Sequence, residues 1–166
     1  NGGENYGFAN LLRDINKIEG IEKIRFISPH PKDFTDAVIE AIATSKKVCN
    51  TLHLPLQSGS TAILKAMNRK YTKEQYLELV EKMKNKIPNL TLSTDIIVGF
   101  PQESEEEFNK TYEYLKSIKF YKMHVFPYSP RRGTVAEKMP NQIDGNIKEE
   151  RSKKLIELSN RNSYVW

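Results

Sequence analysis

Cysteine is almost absent from this chain: Cys49 is the only one in 166 residues. A single thiol excludes an intrachain disulfide, a zinc site made of cysteine alone, and a cluster held by three cysteines of this chain. Cys49 lies in Lys47-Val48-Cys49-Asn50, just ahead of an apolar segment, where a buried or half-buried structural thiol is expected rather than a nucleophile. Long apolar runs are missing too. No stretch approaches the roughly 20 residues that cross a bilayer, and Asn1-Gly2-Gly3-Glu4 is no signal peptide, so a cytoplasmic protein is expected. The chain has no initiator methionine, which fits an excised or processed piece. There is no Gly-x-x-x-x-Gly-Lys-Ser/Thr loop, no Gly-x-Gly-x-x-Gly turn, no Gly-x-Ser-x-Gly elbow and no His-Glu-x-x-His pair. Nucleotide hydrolases, dinucleotide dehydrogenases, serine hydrolases and zincins are set aside on that ground. His30, His53 and His124 are far apart in sequence and each reads as an ordinary strand-end side chain, so no metal site is expected.

What is present suits one compact domain, since 38% of the residues are hydrophobic and the length lies within the usual domain range. The net charge of +5 and the pI near 9.2 favour an acidic or phosphate-bearing partner, although a solvated lysine-rich surface has the same composition.

Apolar spacing gives an alternation of helices and strands. Phe8, Leu11, Leu12, Ile15 and Ile18 predict a helix over 8–19 with Gly20 as its stop, and Ile21 to Ile27 predicts a strand ended by Ser28-Pro29-His30-Pro31. Thr35 caps a helix to Thr44, carrying Val38, Ile39 and Ile42 inward. Thr51 to Leu56 reads as a strand, Gln57-Ser58-Gly59-Ser60 as a turn, and Ser60 as the cap of a helix to Met67. Thr72 opens a longer helix in which Tyr76, Leu79, Val80 and Met83 share a face, ending before Pro88. Thr91 to Val98 is a strand, Gly99-Phe100-Pro101 a turn, and Ser104-Glu105-Glu106-Glu107 a capping box with acidic residues at the positive end of the helix dipole. Phe120 to Phe126 is the last strand, Tyr128 to Thr134 its turn, and a charged helix covers 146–163.

Four strands alternating with helices imply parallel βαβ units, as a doubly wound sheet or part of a barrel. The unusual residues all follow the carboxyl ends of strands, and in either fold that edge is the active face. There Gln57 and Ser58 offer amide and hydroxyl groups, Gly99 lets a backbone approach a ligand, and Arg131 offers a fork for carboxylate or phosphate. Each turn alone is explained by chain reversal; four on one face point to a site for a polar, partly anionic cofactor. Asp95, inside its strand, reads as a buried polar anchor or a rim residue. Lys65, Arg69, Lys70 and Lys73 gather positive charge after the second turn, and Lys148, Arg151, Lys153 and Lys154 do so on the last helix. Both groups could follow an RNA backbone, though Glu149, Glu150 and Glu157 make the last helix equally a salt-bridged solvent face.

Three motifs in order carry a resemblance over about residues 8–158. They are His53-Leu54-Pro55-Leu56-Gln57-Ser58-Gly59-Ser60 with Ile63 to Thr72, then Thr94 to Pro101 with Glu103 and Glu106-Glu107-Phe108, and then Tyr128-Ser129-Pro130-Arg131-Arg132-Gly133-Thr134. The chain resembles the tRNA methylthiotransferase family of radical S-adenosylmethionine enzymes. His124 to Ser129 leans to the branch acting on threonylcarbamoyladenosine, Ser28 to Pro31 to the isopentenyladenosine branch, and the longer segment is given the greater weight. The resemblance implies the later strands of a partial parallel (β/α) barrel over residues 1–140, and over 141–166 a helix leading toward an RNA-binding domain. It implies S-adenosylmethionine and 4Fe–4S clusters in the full-length parent, with a methylthio group attached to a hypermodified adenosine beside the anticodon of tRNA. By motif position, Gln57, Ser58, Gly99, Tyr128 and Arg131 would line the cofactor pocket and Lys65, Arg69 and Lys70 would meet the tRNA anticodon stem-loop. The family's cysteine triad is absent, so the isolated piece is expected to be inactive; Val135 also replaces the proline usual after Gly-Thr. The unpaired edge of a partial barrel implies an edge-strand dimer. The residues by themselves leave open a radical-free (β/α) lyase or aldolase using Asp95, Lys65 or His30, and an RNA-binding scaffold.

Overall fold

The computed structural model describes residues 6–28 and 30–163. Expectations for Asn1 to Glu4, for Pro29 and for Tyr164 to Trp166 lie outside the described residues. The elements run α1 (Phe8–Asn16), a short 3-10 turn (Pro31–Asp33), α2 (Asp36–Thr44), β1 (Thr51–His53), α3 (Thr61–Ala66), α4 (Lys73–Lys86), β2 (Thr91–Val98), α5 (Glu105–Ile118), β3 (Lys122–Pro127), a second 3-10 turn (Ala136–Lys138) and α6 (Gly145–Ser163).

The caps explain most boundaries. The Thr35, Ser60, Thr72 and Ser104 hydroxyls each accept an amide proton from the first turn of their helix, and at α4 Gln75 returns the bond to Thr72. At α5 the expected capping box is only half made. Glu107 does not return to Ser104; its carboxylate accepts from the Ser60 hydroxyl and pairs with Lys110, and those bonds hold its pKa below the usual glutamate value. The charge placed to cap one helix thus ties α5 to the turn before α3.

β1, β2 and β3 form a parallel sheet in sequence order, Thr51 opposite Thr91 and Asp95 opposite His124. β2 alternates strictly. Leu92, Thr94, Ile96 and Val98 are buried, whereas Thr91, Ser93, Asp95 and Ile97 are half-exposed. The buried face joins a core that includes Tyr76, Val80 and Met83 of α4, Phe108 and Leu115 of α5, and Leu155 and Leu158 of α6. Each such side chain stabilises the fold by roughly 1.5–3 kcal/mol. The Tyr76 hydroxyl, deep in that core, donates to the Leu54 carbonyl at 2.7 Å, and α6 is locked to β3 where the Met123 amide donates to Ser159 Oγ at 2.9 Å.

Two expectations are corrected. The segment Ile21 to Ile27 is not a strand among the described residues: only Ile24 pairs, its amide donating to Lys47 and its carbonyl accepting from Cys49, and Ile27 is 87% exposed. A β-branched run has strand propensity but becomes a strand only with a partner. Here the chain after Cys49 turns to β2, where the Thr91 amide donates to the Asn50 carbonyl, and leaves residues 25–28 without a ladder. The first helix stops at Asn16, and Phe8, Leu11 and Ile18 of its apolar stripe are exposed while Ala9 and Leu12 are buried. No helix among the described residues is long and apolar enough to cross a membrane.

Candidate functional site

The parallel ladders bring three of the four expected turns to one edge. Beyond β1 the Gln57 amide donates to the Asp95 carbonyl and its own carbonyl accepts from Ile97, and beyond β3 the Tyr128 amide donates to Val98. Gln57, Gly99 and Tyr128 therefore end neighbouring strands at one rim. Gln57 holds φ at +78°, a left-handed conformation that a side-chain-bearing residue adopts at a cost, and its side chain is half-exposed there.

Two residues serve the rim differently from their expected roles. Ser58 is fully buried; its hydroxyl lies 3.3 Å from that of Thr111 and accepts from the Ser60 amide, so it braces the turn against α5 rather than facing outward. Gly99 has φ +72°, and a Cβ there would collide with the aliphatic chain of Lys148. The backbone approach that this glycine permits is filled by α6, not left for a ligand. Lys148 then donates to the Tyr128 carbonyl at 3.0 Å, with its ammonium 5.3 Å from the Tyr128 ring centre.

The Gly99 turn is fixed by a buried ion pair. Glu103 accepts from the Gly99 amide at 2.9 Å and pairs at 2.9 Å with Arg151, which also donates to the Glu103 carbonyl. Burial pushes the Glu103 carboxyl above the usual glutamate range, against the pull of the Gly99 amide and the guanidinium. Arg151 is accordingly part of the core and not of a basic RNA-facing stripe, while Lys153 and Lys154 pair with Glu149 and Glu150 along the helix. Tyr128 packs edge-on against Phe100 at 5.1 Å, and its hydroxyl is buried without a hydrogen-bond partner among the described residues. Arg131 is exposed beyond it. Lys65 and Lys70 are exposed around the end of α3, with Arg69 half-buried between them.

Sequence reasoning missed a second group, on the half-exposed face of the sheet. His53 of β1, Asp95 of β2 and His124 of β3 offer ligand atoms that all lie within 4.8 Å of one another. His53 Nε2 is 3.0 Å from Asp95 Oδ2, and its Nδ1 is 2.8 Å from Ser93 Oγ. The available signal was spacing: each of the three stands four residues before a rim residue, Gln57, Gly99 or Tyr128. His30 is elsewhere, accepting from the Lys32 amide and packing on Tyr71, and Lys65 is exposed, so neither belongs to this group. A cavity of about 770 Å³ lies between α1, residues 26–28 and α2 and includes none of the Gln57, Gly99 and Tyr128 rim.

The sequence matches the radical SAM superfamily over residues 2–115. It is 55% identical over 153 residues to the tRNA-2-methylthio-N(6)-dimethylallyladenosine synthase of Alkaliphilus oremlandii, covering 92% of this chain and 32% of that protein. It is 54% identical over 157 residues to the protein of the same name from Fusobacterium nucleatum, covering 95% and 36%. The chain spans about a third of the length of these curated relatives. Among solved structures it is similar to the coproporphyrinogen III oxidase of Escherichia coli, described as a radical SAM enzyme, with TM-score 0.68 at 16% identity over 84% of this chain and 32% of the other. Methylornithine synthase gives TM-score 0.63 at 16% identity, over 92% and 43%. These likenesses show the fold, a partial parallel barrel. The names of the relatives do not support the weight given to the threonylcarbamoyladenosine branch and agree with the shorter Ser28 to Pro31 segment.

Proposed function

Since this chain belongs to the radical SAM superfamily, we propose that it is the barrel portion of a tRNA methylthiotransferase acting on N6-dimethylallyladenosine. The observation that carries the reading is the convergence of the three motifs on one rim, with Gln57, Gly99 and Tyr128 ending adjacent parallel strands. Identity of 52–55% to relatives of that name, over nearly the whole of this chain, supports the substrate class.

An S-adenosylmethionine site at the rim would use Gln57 and Arg131 as outward polar groups and Tyr128 as the donor whose buried hydroxyl is unpartnered among the described residues. Ser58 and Gly99 would act by shape, holding the turns through Thr111 and Lys148. The residues do not fit an iron–sulfur cluster. Cys49, the one thiol, precedes β1, whereas the rim follows the carboxyl ends of the strands. Exposed Lys65 and Lys70, with Arg69, are the proposed contacts to tRNA phosphates.

The test is a transplant. Residues 8–158 replace the matching third of the Alkaliphilus relative, and the hybrid is expressed in a strain lacking its own methylthiotransferase. Mass spectrometry of digested tRNA should show the methylthio group on dimethylallyladenosine. A folded, cluster-loaded hybrid that leaves this nucleoside unmodified would refute the reading.

A further inference from the structure

We propose that His53, Asp95 and His124 form a binding site for a divalent transition-metal ion of the zinc class. The three donors come from three adjacent parallel strands and point from one face. The ladder sets Asp95 directly opposite His124 and His53 opposite Ser93, so the ligands cross the sheet at about one strand spacing, 4.7–4.9 Å. Two imidazoles and one carboxylate within 4.8 Å of one another can close on a cation at about 2.0–2.2 Å by small side-chain rotations, leaving a fourth position open.

The surroundings match what such a site needs. Ser93 Oγ at 2.8 Å from His53 Nδ1 is an outer partner that can accept an Nδ1 proton, which lets Nε2, now 3.0 Å from Asp95 Oδ2, turn its lone pair to an ion that takes the place of the proton between them. A histidine–aspartate pair that served only the fold would need no second imidazole, yet the His124 ring centre lies 5.9 Å from that of His53. The His53 and Asp95 side chains are 26% and 31% exposed, reachable yet not fully hydrated. A cleft of about 600 Å³ between residues 25–27 and β1 is lined by His53 and Ser93 and opens a route to the site. The cluster stands four residues before the rim on each strand, about 13 Å of chain at roughly 3.3 Å per residue, and makes no use of the groups assigned to the cofactor.

The experiment is a titration of the chelator-treated, tag-free chain with Zn²⁺ against a chromophoric competitor, and with Co²⁺ monitored by its visible absorption. One ion per chain is expected, with a tetrahedral Co²⁺ spectrum. Asp95→Asn and His124→Gln should abolish it, Ser93→Ala should weaken it about 10–100-fold, and Cys49→Ser should leave it unchanged; circular dichroism checks that each variant is folded. Failure to bind either ion, binding that survives both Asp95→Asn and His124→Gln, or binding lost in Cys49→Ser would each overturn the proposal. The readout is independent of tRNA modification, so it stands or falls apart from the function proposed above.

Discussion

Replacing Arg151 by methionine removes a guanidinium of nearly the same length from a site where its side chain is 5% exposed and that of its partner Glu103 is 1% exposed. Two short bonds go with it, to the Glu103 carboxylate at 2.9 Å and to the Glu103 carbonyl at 2.8 Å. The contact to Glu105 matters little, because that carboxylate is 66% exposed. Breaking a buried pair from one side leaves an uncompensated charge, which costs about 3–5 kcal/mol. For a domain of this size each kcal/mol moves the midpoint by about 2–4 °C, so Arg151→Met should melt roughly 6–20 °C below the parent. The sign of the pH dependence is fixed by Glu103, whose folded pKa is raised above 4.5 by burial. Between that reference value and the raised value the folded state holds a proton that the unfolded state releases, so stability falls as pH rises through this window. Loss of the guanidinium raises the folded pKa further. The deficit of the variant is then full near neutral pH and shrinks as pH falls toward 4.5. Adding Glu103→Gln, whose amide oxygen can still accept from Gly99, should recover most of the loss. Urea denaturation across pH reads all three. A loss below about 1 kcal/mol, a deficit independent of pH, or no recovery in the double variant would refute the assignment of Arg151 as the counter-charge that holds the Gly99 turn.

Other outcomes follow from single contacts. Gly59→Ala places a Cβ at 2.9 Å from the Thr111 backbone and 3.0 Å from the Tyr114 ring, and should destabilise by about 1–3 kcal/mol in urea titration as α5 is pushed from the turn. Tyr76→Phe removes the 2.7 Å bond to the Leu54 carbonyl and should cost about 1–3 kcal/mol in the same assay, since that acceptor is left buried with fewer partners. Neutralising Lys65, Arg69 and Lys70 together should flatten the logarithmic salt dependence of tRNA binding by about one per side chain that meets a phosphate, measured by filter binding; an unchanged slope places the RNA elsewhere. The outer edge of β3 is bonded to no other strand among the described residues, so concentration-dependent dimers are expected in sedimentation, and a strict monomer at high concentration counts against that edge as a contact.

The elements most legible in the sequence were those whose determinants are local. Thr35, Ser60, Thr72 and Ser104 cap the helices that follow them, because the amide that each capping hydroxyl accepts from lies only three residues further on. The bounds of β2 were equally legible: Thr91 to Val98 alternates throughout, and Gly99 with φ +72° ends it. Failures arose where a distant partner decides. Ile21 to Ile27 has the composition of a strand and no ladder to join beyond Ile24. Glu107 reads as half of a capping box, yet Ser60, 47 residues away, takes its carboxylate. Arg151 has the neighbours of a surface residue in sequence and a core environment in space, because Glu103 waits on another helix-bearing segment.

The two candidate sites differ in legibility for a related reason. Rim residues are marked along each strand by their turns, so depth was readable one motif at a time. The His53, Asp95 and His124 group needs lateral register as well, and register is not written in any one segment. Sliding β3 by two residues against β2 would keep every side chain on its present face, yet it would set Asp95 opposite Lys122 or Phe126 instead of His124. What prevents this is the clamping of β3 at both ends, by the Tyr121 amide on the Leu92 carbonyl and the Tyr128 amide on Val98. The bonds that set the rim thus also set the cluster below it, and a change that shifts one must displace the other.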